Sequence, residues 1–404
     1  MKKILIIGSG KSGQAAAKLL EGKAETFIWD DKMPIEQKPN IVDFDELLLS
    51  PGVPLSHEMV LSANKLGKKV TGELELAYEN CEGSFIAITG TNGKTTTTAL
   101  LGEIFIAAGL DSRVVGNIGR PVSEEVSSAT SSTQMITEVS SFQLETVSDF
   151  HAHISAILNI TPDHLDRHKT FENYAAIKAR IAINQTKDDY FVYNLDDPYC
   201  VKIANELKGP KLVGFSSKTE KIEKIQIPGE HNMQNALAAA AIARCAGIDE
   251  KIILDTIANF KGVEHRMEFV RELYGVSYVN DSKGTNPDST IKAIEATNTD
   301  IILIAGGYEK NSDFTELINK FDSKVKYILS LGATGPRFAK RAIELGFDEK
   351  NIIPCKDMSE CVLNASKLAK KGDTVLLSPA CASWDMYKSF EERGLDFKNL
   401  VNKL

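Results

Sequence analysis

The run Gly90 to Thr96, "GTNGKTT", combines glycines, a lysine and hydroxyl residues at a spacing suited to holding phosphate. Glycines let backbone N–H groups converge on an anion, Lys94 can reach between β- and γ-phosphates, and Thr95 can offer its hydroxyl to Mg2+. Gly90, Thr91, Asn92, Gly93, Thr96 and Thr97 complete this candidate ATP cradle. The strict G-x-x-x-x-G-K-[ST] rule fails, because Ile88 stands five positions before Gly93. The working parts are nevertheless present. The apolar stretch "FIAIT" delivers the turn, and a helix should begin at once with its positive end on the phosphates. A plain strand-to-helix turn is the bland alternative.

A second turn, Gly8 to Gly13 or "GSGKSG", competes for the same role. Glycines 8, 10 and 13 follow the apolar "ILII" and match the G-x-G-x-x-G dinucleotide fingerprint, while Lys11 and Ser12 imitate the tail of a phosphate loop. Gly13 sits where close helix packing wants glycine, so a Rossmann-like turn is the better reading. Asp30 lies 20 positions after Gly10, where a ribose-binding carboxylate is expected. On this motif alone NAD fits, and an NAD-dependent oxidoreductase would explain residues 1 to 31 while leaving "GTNGKT" idle.

Further candidates follow the second turn: Asn117 in "GNIGRP", Glu138 in "EVSSFQLE" and His164 in "LNITPDHLDRH". Each comes after an apolar strand, at the strand ends where open α/β sheets bind ligands. A carboxylate such as Glu138 beside a triphosphate is a natural Mg2+ ligand. Taken singly, a strand-end Glu or His is more often structural; it is their joint placement after one phosphate loop that points to a site. Asp281 to Gly284 and Asn319 to Asp322 also spell D-x-x-G and N-K-x-D, as in a GTPase. The second of these reads as the end of a helix before the strand "VKYILSL", the wrong context for base recognition.

The elements that must position these residues alternate throughout. "KILIIG", "ETFIWD", "DELLLSPG" and "KKVTG" are short strands separated by helical stretches, the pattern of a small parallel α/β unit. A polar break at 79–84 precedes "FIAITG", after which come "TQMITEV", "ISAILNI", "YFVYNL" and the alanine-rich helix "HNMQNALAAAAIARCAG". Beyond the connector "FKGVEHRM" follow "VSYVND", "DIILIAGG", "VKYILSLG" and "TVLLSPA". The fold class is α/β in three domains: a Rossmann-like domain at 1–82, a central P-loop ATPase-like domain with a parallel sheet at 83–261, and a Rossmann-like α/β domain at 262–404.

Composition agrees. A chain of 404 residues exceeds what one core usually supports, and 43% hydrophobic with 25% charged residues is ordinary for a soluble protein. The net charge of -8 argues against a broad nucleic-acid surface. No apolar run approaches the ~20 residues of a membrane span, and "MKKILIIGSG" reaches glycine too soon for a signal peptide, so no membrane insertion and a cytoplasmic location are expected. Six cysteines without a C-x-x-C pair read as reduced thiols in the core.

The strings "GTNGKT", "GNIG", "EVSSFQLE", "ILNITPDHLDRH", "YAAIKARI", "HNMQNALAA", "HRME", "NDSKGTNP", "AGGYEKNSDF" and "SPACASWDMYKSFEERG" occur in this order over nearly the whole chain, which thereby resembles the Mur ligase family. The resemblance is greatest to the members that add D-glutamate to UDP-N-acetylmuramoyl-L-alanine in peptidoglycan precursor synthesis. It implies an ATP-dependent ligase working through an acyl phosphate, with two Mg2+ ions. Thr95 and Glu138 would serve one ion; His164 and Lys178, the lysine as a carbamate, would serve the other. Without the resemblance Lys178 reads as a solvated helix lysine. Asn235 would contact the adenine region, with Arg266 and Asp281 on the ATP.

Carried over in the same way, Lys11 and Ser12 would lie beside the UDP and Asp30 near its uracil or ribose. Asn117 and Lys283 would lie along the UDP-muramoyl-alanine chain. Thr285, Lys310, Ser383 and the neighbourhood of Phe390 would bind the carboxylates of D-glutamate. For Ser383 the bland alternative is an N-cap of the following helix, "WDMYKSFEERG". Only 14 residues separate "WDDK" from "LLLSPG", so the helices framing the uracil pocket are expected to be short. A monomer is expected. The alternatives within this chemistry are another Mur ligase or a folylpolyglutamate synthase. The folate enzyme would lack the first domain, and the diaminopimelate-adding ligase would show D-N-P-R, absent here. A non-catalytic nucleotide switch would explain the phosphate loop alone.

Overall fold

The computed structural model describes all residues except 118, 228, 309–311 and 322, and only the backbone of Asp166. Among the described residues three β-sheets carry the architecture. The first contains β1 (Lys2–Ile7), β2 (Ala24–Trp29), β3 (Glu46–Leu49) and β4 (Lys69–Gly72), all parallel in the order β2-β1-β3-β4. The order reverses between β1 and β3, and at such a switch point the loops leaving the strand C-termini part to form a crevice. Gly8 to Gly13 leaves β1 there, and Ser50 to Val53 leaves β3.

The second sheet is also fully parallel: β5 (Ser84–Thr89), β6 (Ser112–Gly116), β7 (Gln134–Glu138), β8 (Ile154–Ile157), β9 (Tyr190–Asn194) and β10 (Lys211–Phe215), in the order β10-β9-β8-β5-β7-β6. Strand β5 is central, so both its faces are covered, which is why "FIAIT" is apolar at nearly every position. Its C-terminus is again a switch point, and the "GTNGKTT" turn leaves from it.

The third sheet comprises β11 (Glu268–Leu273), β12 (Val276–Asn280), β13 (Ile301–Gly306), β14 (Val325–Leu331), β15 (Ile352–Cys355) and β16 (Thr374–Leu377), in the order β11-β12-β16-β13-β14-β15. Strands β12 to β16 are parallel. Strand β11 is antiparallel to β12 and was not foreseen. Its cue lies in Tyr274-Gly275, whose positive φ values of 53° and 77° make a two-residue hairpin between "EFVREL" and "VSYVN". Asn319 ends the helix Thr315–Asn319 ahead of β14, the context that disfavours the GTPase reading.

By compactness the chain forms two units, residues 1–224 with 233–259 and residues 225–232 with 260–404. The first and second sheets share the first unit, joined by buried polar contacts. Glu73 accepts from the N–H and hydroxyl of Ser123, both at 2.7 Å, and Glu75 accepts three successive N–H groups of Ser148, Asp149 and Phe150. Burial pushes the Glu73 carboxyl above its ordinary range. Among the described residues no helix is long and apolar enough to cross a membrane.

Candidate functional site

The "GTNGKTT" turn has the backbone that phosphate binding needs. Gly90 has φ 154°, and Gly93, in the left-handed region at φ 85°, caps the helix Lys94–Ala107 without any side-chain cap. The first N–H groups of that helix are therefore not taken by a capping side chain, the arrangement that attracts an anion. A methyl group on Gly93 would overlap Asn235 Oδ1, so Asn235 packs directly on the turn.

Neighbouring loops strap the turn in place. Asn159, just beyond β8, accepts from Asn92 N–H at 2.9 Å and donates to Asn92 O at 3.1 Å. Thr91 N–H donates to Asn159 O at 2.9 Å, and the Thr91 hydroxyl accepts from Thr161 N–H at 3.0 Å. Lys94 Nζ donates to the carbonyls of Gly90 and Thr91, each at 2.8 Å. Thr95 and Thr96 are buried in the first turn of the helix. Thr97 is buried as well, and its hydroxyl has no partner.

Glu138, the last residue of β7, is 2% exposed. Its Oε1 accepts from Asn117 Nδ2 at 2.9 Å, while Oε2 is buried without any partner. A buried carboxylate oxygen left bare is costly, and a divalent cation is what such an oxygen suits. An oxygen donor of this kind fits Mg2+, and Thr95, in the first turn of the helix after β5, is the hydroxyl matched to the same ion. Asn117, matched above to the UDP-sugar chain, bonds Glu138 through its backbone N–H as well, at 2.8 Å to the carbonyl.

Lys178 is not a solvated helix lysine. It is 1% exposed, its Nζ donates to the same Gly90 carbonyl at 2.8 Å and to Thr89 Oγ1 at 3.3 Å, and it lies 4.8 Å over the Tyr174 ring. Burial, and then the charge of Lys94, hold its ammonium well below the usual lysine range, which favours the neutral nucleophilic amine. His164 has φ 53° and caps the short helix Leu165–His168. Its half-exposed ring meets the Phe142 ring edge-on at 4.8 Å.

At the first sheet's switch point, Asp30 accepts from Ser9 N–H at 2.9 Å and the Ser9 hydroxyl at 2.8 Å, and these bonds hold its carboxyl below the ordinary range. Lys11 and Ser12 open the helix Lys11–Leu19 beside them. The glycines are required by contact. A methyl group on Gly8, at φ 103°, would stand 2.7 Å from Ser50 Cβ, and one on Gly13 would overlap the Gly8 carbonyl.

In the second unit the candidates gather at the C-terminal ends of β12 and β16. Asp281 is buried, accepts from the Ser378 hydroxyl at 2.7 Å, and is pushed up to about 6 by burial, against the pull of Arg266. Arg266 stands between two non-glycine residues of positive φ, His265 and Met267, a strain characteristic of functional segments. Lys283 Nζ lies 5.4 Å over the Phe390 ring, and the Phe390 carbonyl accepts from the Ser282 hydroxyl at 2.8 Å. Thr285 N–H donates to the Lys283 carbonyl at 2.9 Å. Lys310 lies outside the described residues.

Ser383 does not cap the next helix. That helix is Phe390–Lys403 and Ser389 caps it, whereas Ser383 Oγ is buried with no partner, a donor left for something other than protein. Arg393, a residue sequence reasoning missed, lies beneath it. Its buried guanidinium donates to the carbonyls of Cys381 (3.1 Å), Ala382 (3.2 Å) and Ser282 (2.7 Å). Burial pulls it down to about 10. Asn159 and Ser9 were missed too, because bonds from side chain to loop backbone leave no spacing signature.

Comparison with known proteins places the chain among relatives by sequence and by fold. Residues 88–226 match the description "Mur ligase middle domain" and residues 265–381 match "Mur ligase, glutamate ligase domain". A UDP-N-acetylmuramoylalanine–D-glutamate ligase of Thermoanaerobacter sp. (strain X514) is 44% identical over 447 aligned positions, covering 100% of this chain and 98% of the relative. Among solved structures, the UDP-N-acetylmuramate–alanine ligase of Thermotoga maritima superposes with a TM-score of 0.64 at 16% identity, covering 100% of both chains. The MurF ligase of Thermotoga maritima in complex with ADP gives 0.63 at 16% identity, covering 100% of this chain and 95% of its own.

Proposed function

The chain belongs to the Mur ligase family, and from that premise we propose that it is an ATP-dependent, ADP-forming ligase that joins D-glutamate to UDP-N-acetylmuramoyl-L-alanine. The observation that supports the substrate pair is the 44% identity, over its whole length, to a relative so named. The observation that supports the chemistry is the bare Glu138 oxygen near a phosphate loop held by two lysines on one carbonyl.

The terminal carboxylate of the UDP-sugar attacks the γ-phosphorus of ATP, ADP leaves, and an acyl phosphate forms. The amine of D-glutamate then attacks the acyl carbon, and phosphate departs. Bringing an anionic carboxylate onto an anionic phosphate demands positive charge along the path. Lys94 supplies some of it. Two Mg2+ ions, when bound, would neutralise the rest. Thr95 and Glu138 would hold one, and His164 with Lys178 the other. For Lys178 to serve, its neutral amine adds to the carbon of CO2 and loses a proton, which leaves a carbamate with two oxygens. The burial that favours the neutral amine makes that addition possible, and Lys94 beside it would stabilise the resulting anion.

We assign residues 1–82 to the UDP-sugar, with Lys11, Ser12 and Asp30 at its nucleotide and Asn117 and Lys283 along its chain. Residues 83–261 are assigned to ATP, for which Asn235, Arg266 and Asp281 are further contacts. Residues 262–404 take D-glutamate, bound by Thr285, Lys310, Ser383 and the segment at Phe390. The reaction is placed in the cytoplasm, on a single copy of the chain. The deciding experiment is phosphate release from ATP with UDP-N-acetylmuramoyl-L-alanine and D-glutamate, omitting each in turn. Release that does not require both, or that proceeds equally with L-lysine in place of D-glutamate, refutes the assignment.

A further inference from the structure

Arg167 takes no part in the chemistry above, yet its guanidinium is fully committed. Nε and Nη2 bond the Glu145 carboxylate at 3.1, 3.2 and 2.6 Å. Nη1 donates to the carbonyls of Pro51 (3.0 Å) and Gly52 (3.3 Å), and Nη2 to that of Val53 (3.0 Å). The Phe142 ring lies 4.1 Å from the guanidinium carbon. One planar fork thus holds a carboxylate, an aromatic face and three successive carbonyls of one loop, a geometry that a lysine cannot copy.

That loop leaves β3 at the switch point of the first sheet. Ser50 Oγ donates to the Gly8 carbonyl at 3.2 Å, so residues 50–53 form the wall opposite the "GSGKSG" turn. Because a peptide is planar and trans, fixing the Pro51 carbonyl on Arg167 turns the Gly52 N–H to the opposite side. The shape of the wall is therefore set from outside its own sheet. At its other end the segment that carries Arg167 is tied to the phosphate loop through Thr161 on Thr91, and within the segment His164 shares the Phe142 ring with Arg167.

We propose that Arg167 is a positioning residue for the UDP-sugar. It fixes loop 51–53 in its binding shape and links that loop, across Phe142, to His164 in the ATP-binding part of the same unit. This rests on the assignment of residues 1–82 to the UDP-sugar. The test measures binding of UDP-N-acetylmuramoyl-L-alanine and of ADP by calorimetry, with thermal melting, for the wild type, Arg167→Lys, Arg167→Met and Glu145→Gln. Arg167→Met should weaken UDP-sugar binding at least tenfold and raise its KM, with ADP affinity changed less than twofold. Arg167→Lys should fail to restore the loss. Glu145→Gln, which loosens the fork while keeping the arginine, should give a smaller loss on the same ligand. A folded Arg167→Met that binds the UDP-sugar as the wild type does, or that loses ADP to the same degree, overturns the inference. Should Arg167→Met not fold, unchanged UDP-sugar binding in Glu145→Gln overturns it equally. If the wild type itself binds no UDP-sugar, the functional reading fails instead.

Discussion

Asn159 offers the sharpest test of how the phosphate loop is held. Its amide closes a ring with the Asn92 peptide, accepting at 2.9 Å and donating at 3.1 Å, while Asn92 itself is only half-buried. Each such bond contributes about 1 kcal/mol net, and partial access to water keeps the cost of losing both near about 2 kcal/mol. Asn159→Ala should therefore weaken ADP about thirtyfold if the loop must be re-ordered on binding, since about 1.4 kcal/mol is tenfold. Asn159→Asp should be worse. It keeps the bond from Asn92 N–H, sets oxygen against oxygen at the Asn92 carbonyl, and places a negative charge on the phosphate loop. For a phosphate taken to lie ~5 Å away, that charge adds about 3 kcal/mol of repulsion at an effective dielectric constant of about 20. Calorimetric titration with ADP and the KM for ATP report the effect, and melting temperature separates it from unfolding. If Asn159→Asp binds ADP no more weakly than Asn159→Ala, the strap does not orient the amide as described.

Gly93→Ala meets a left-handed cost of about 1 to 2 kcal/mol and must also displace Asn235, so ADP binding should fall more than tenfold while the fold persists. Carbamylation of Lys178 predicts that activity in CO2-free buffer is low and returns on adding bicarbonate, with a 13C carbamate resonance appearing from labelled bicarbonate; full activity without CO2 rules it out. The Asp281 carboxyl is raised from 3.8 to about 6, so the folded state holds its proton more tightly than the unfolded state does. Its burial therefore destabilises the protein by roughly 3 kcal/mol above pH 6, and the penalty fades as pH falls from 6 to 4. Asp281→Asn should accordingly raise stability at pH 8 and change little at pH 4 in denaturant titrations, while lowering turnover. Ser383→Ala removes a buried hydroxyl without a partner, so melting temperature should hold or rise while the KM for D-glutamate increases; a lower melting temperature with unchanged KM would make Ser383 structural.

What the sequence discloses follows from what leaves a periodic trace. Strand β5 and the glycine turn after it are legible because a central parallel strand must be apolar throughout and a phosphate turn must be built of glycine. Glu138, His164 and Lys178 are legible as types at strand ends and on a helix, but the burial of Lys178 is not, since nothing local tells a core lysine from a surface one. The helix after Ser383 is misplaced by six residues because its true cap, Ser389, is also a serine before an acidic first turn. Strand β11 is missed because its outer edge is half-exposed and its sequence "EFVREL" is charged. Arg167, Arg393 and Asn159 stay hidden for one reason: each bonds backbone carbonyls or N–H groups of loops distant in sequence, and only the fold brings those together.

The division of the chain bears on how the protein can be taken apart. The path passes from one compact unit to the other at 224/225, returns at 232/233 and leaves again at 259/260. No single cleavage leaves both units whole: a cut at 259/260 strips residues 225–232 from the second unit, and a cut at 224/225 strips residues 233–259 from the first. A truncation ending near residue 224 would contain the whole phosphate loop yet lack Asn235, which packs on Gly93. During synthesis the ribosome must therefore deliver Asn235 before the nucleotide cradle is complete, about 146 residues (235 − 89) after the end of its first strand at Thr89 has emerged.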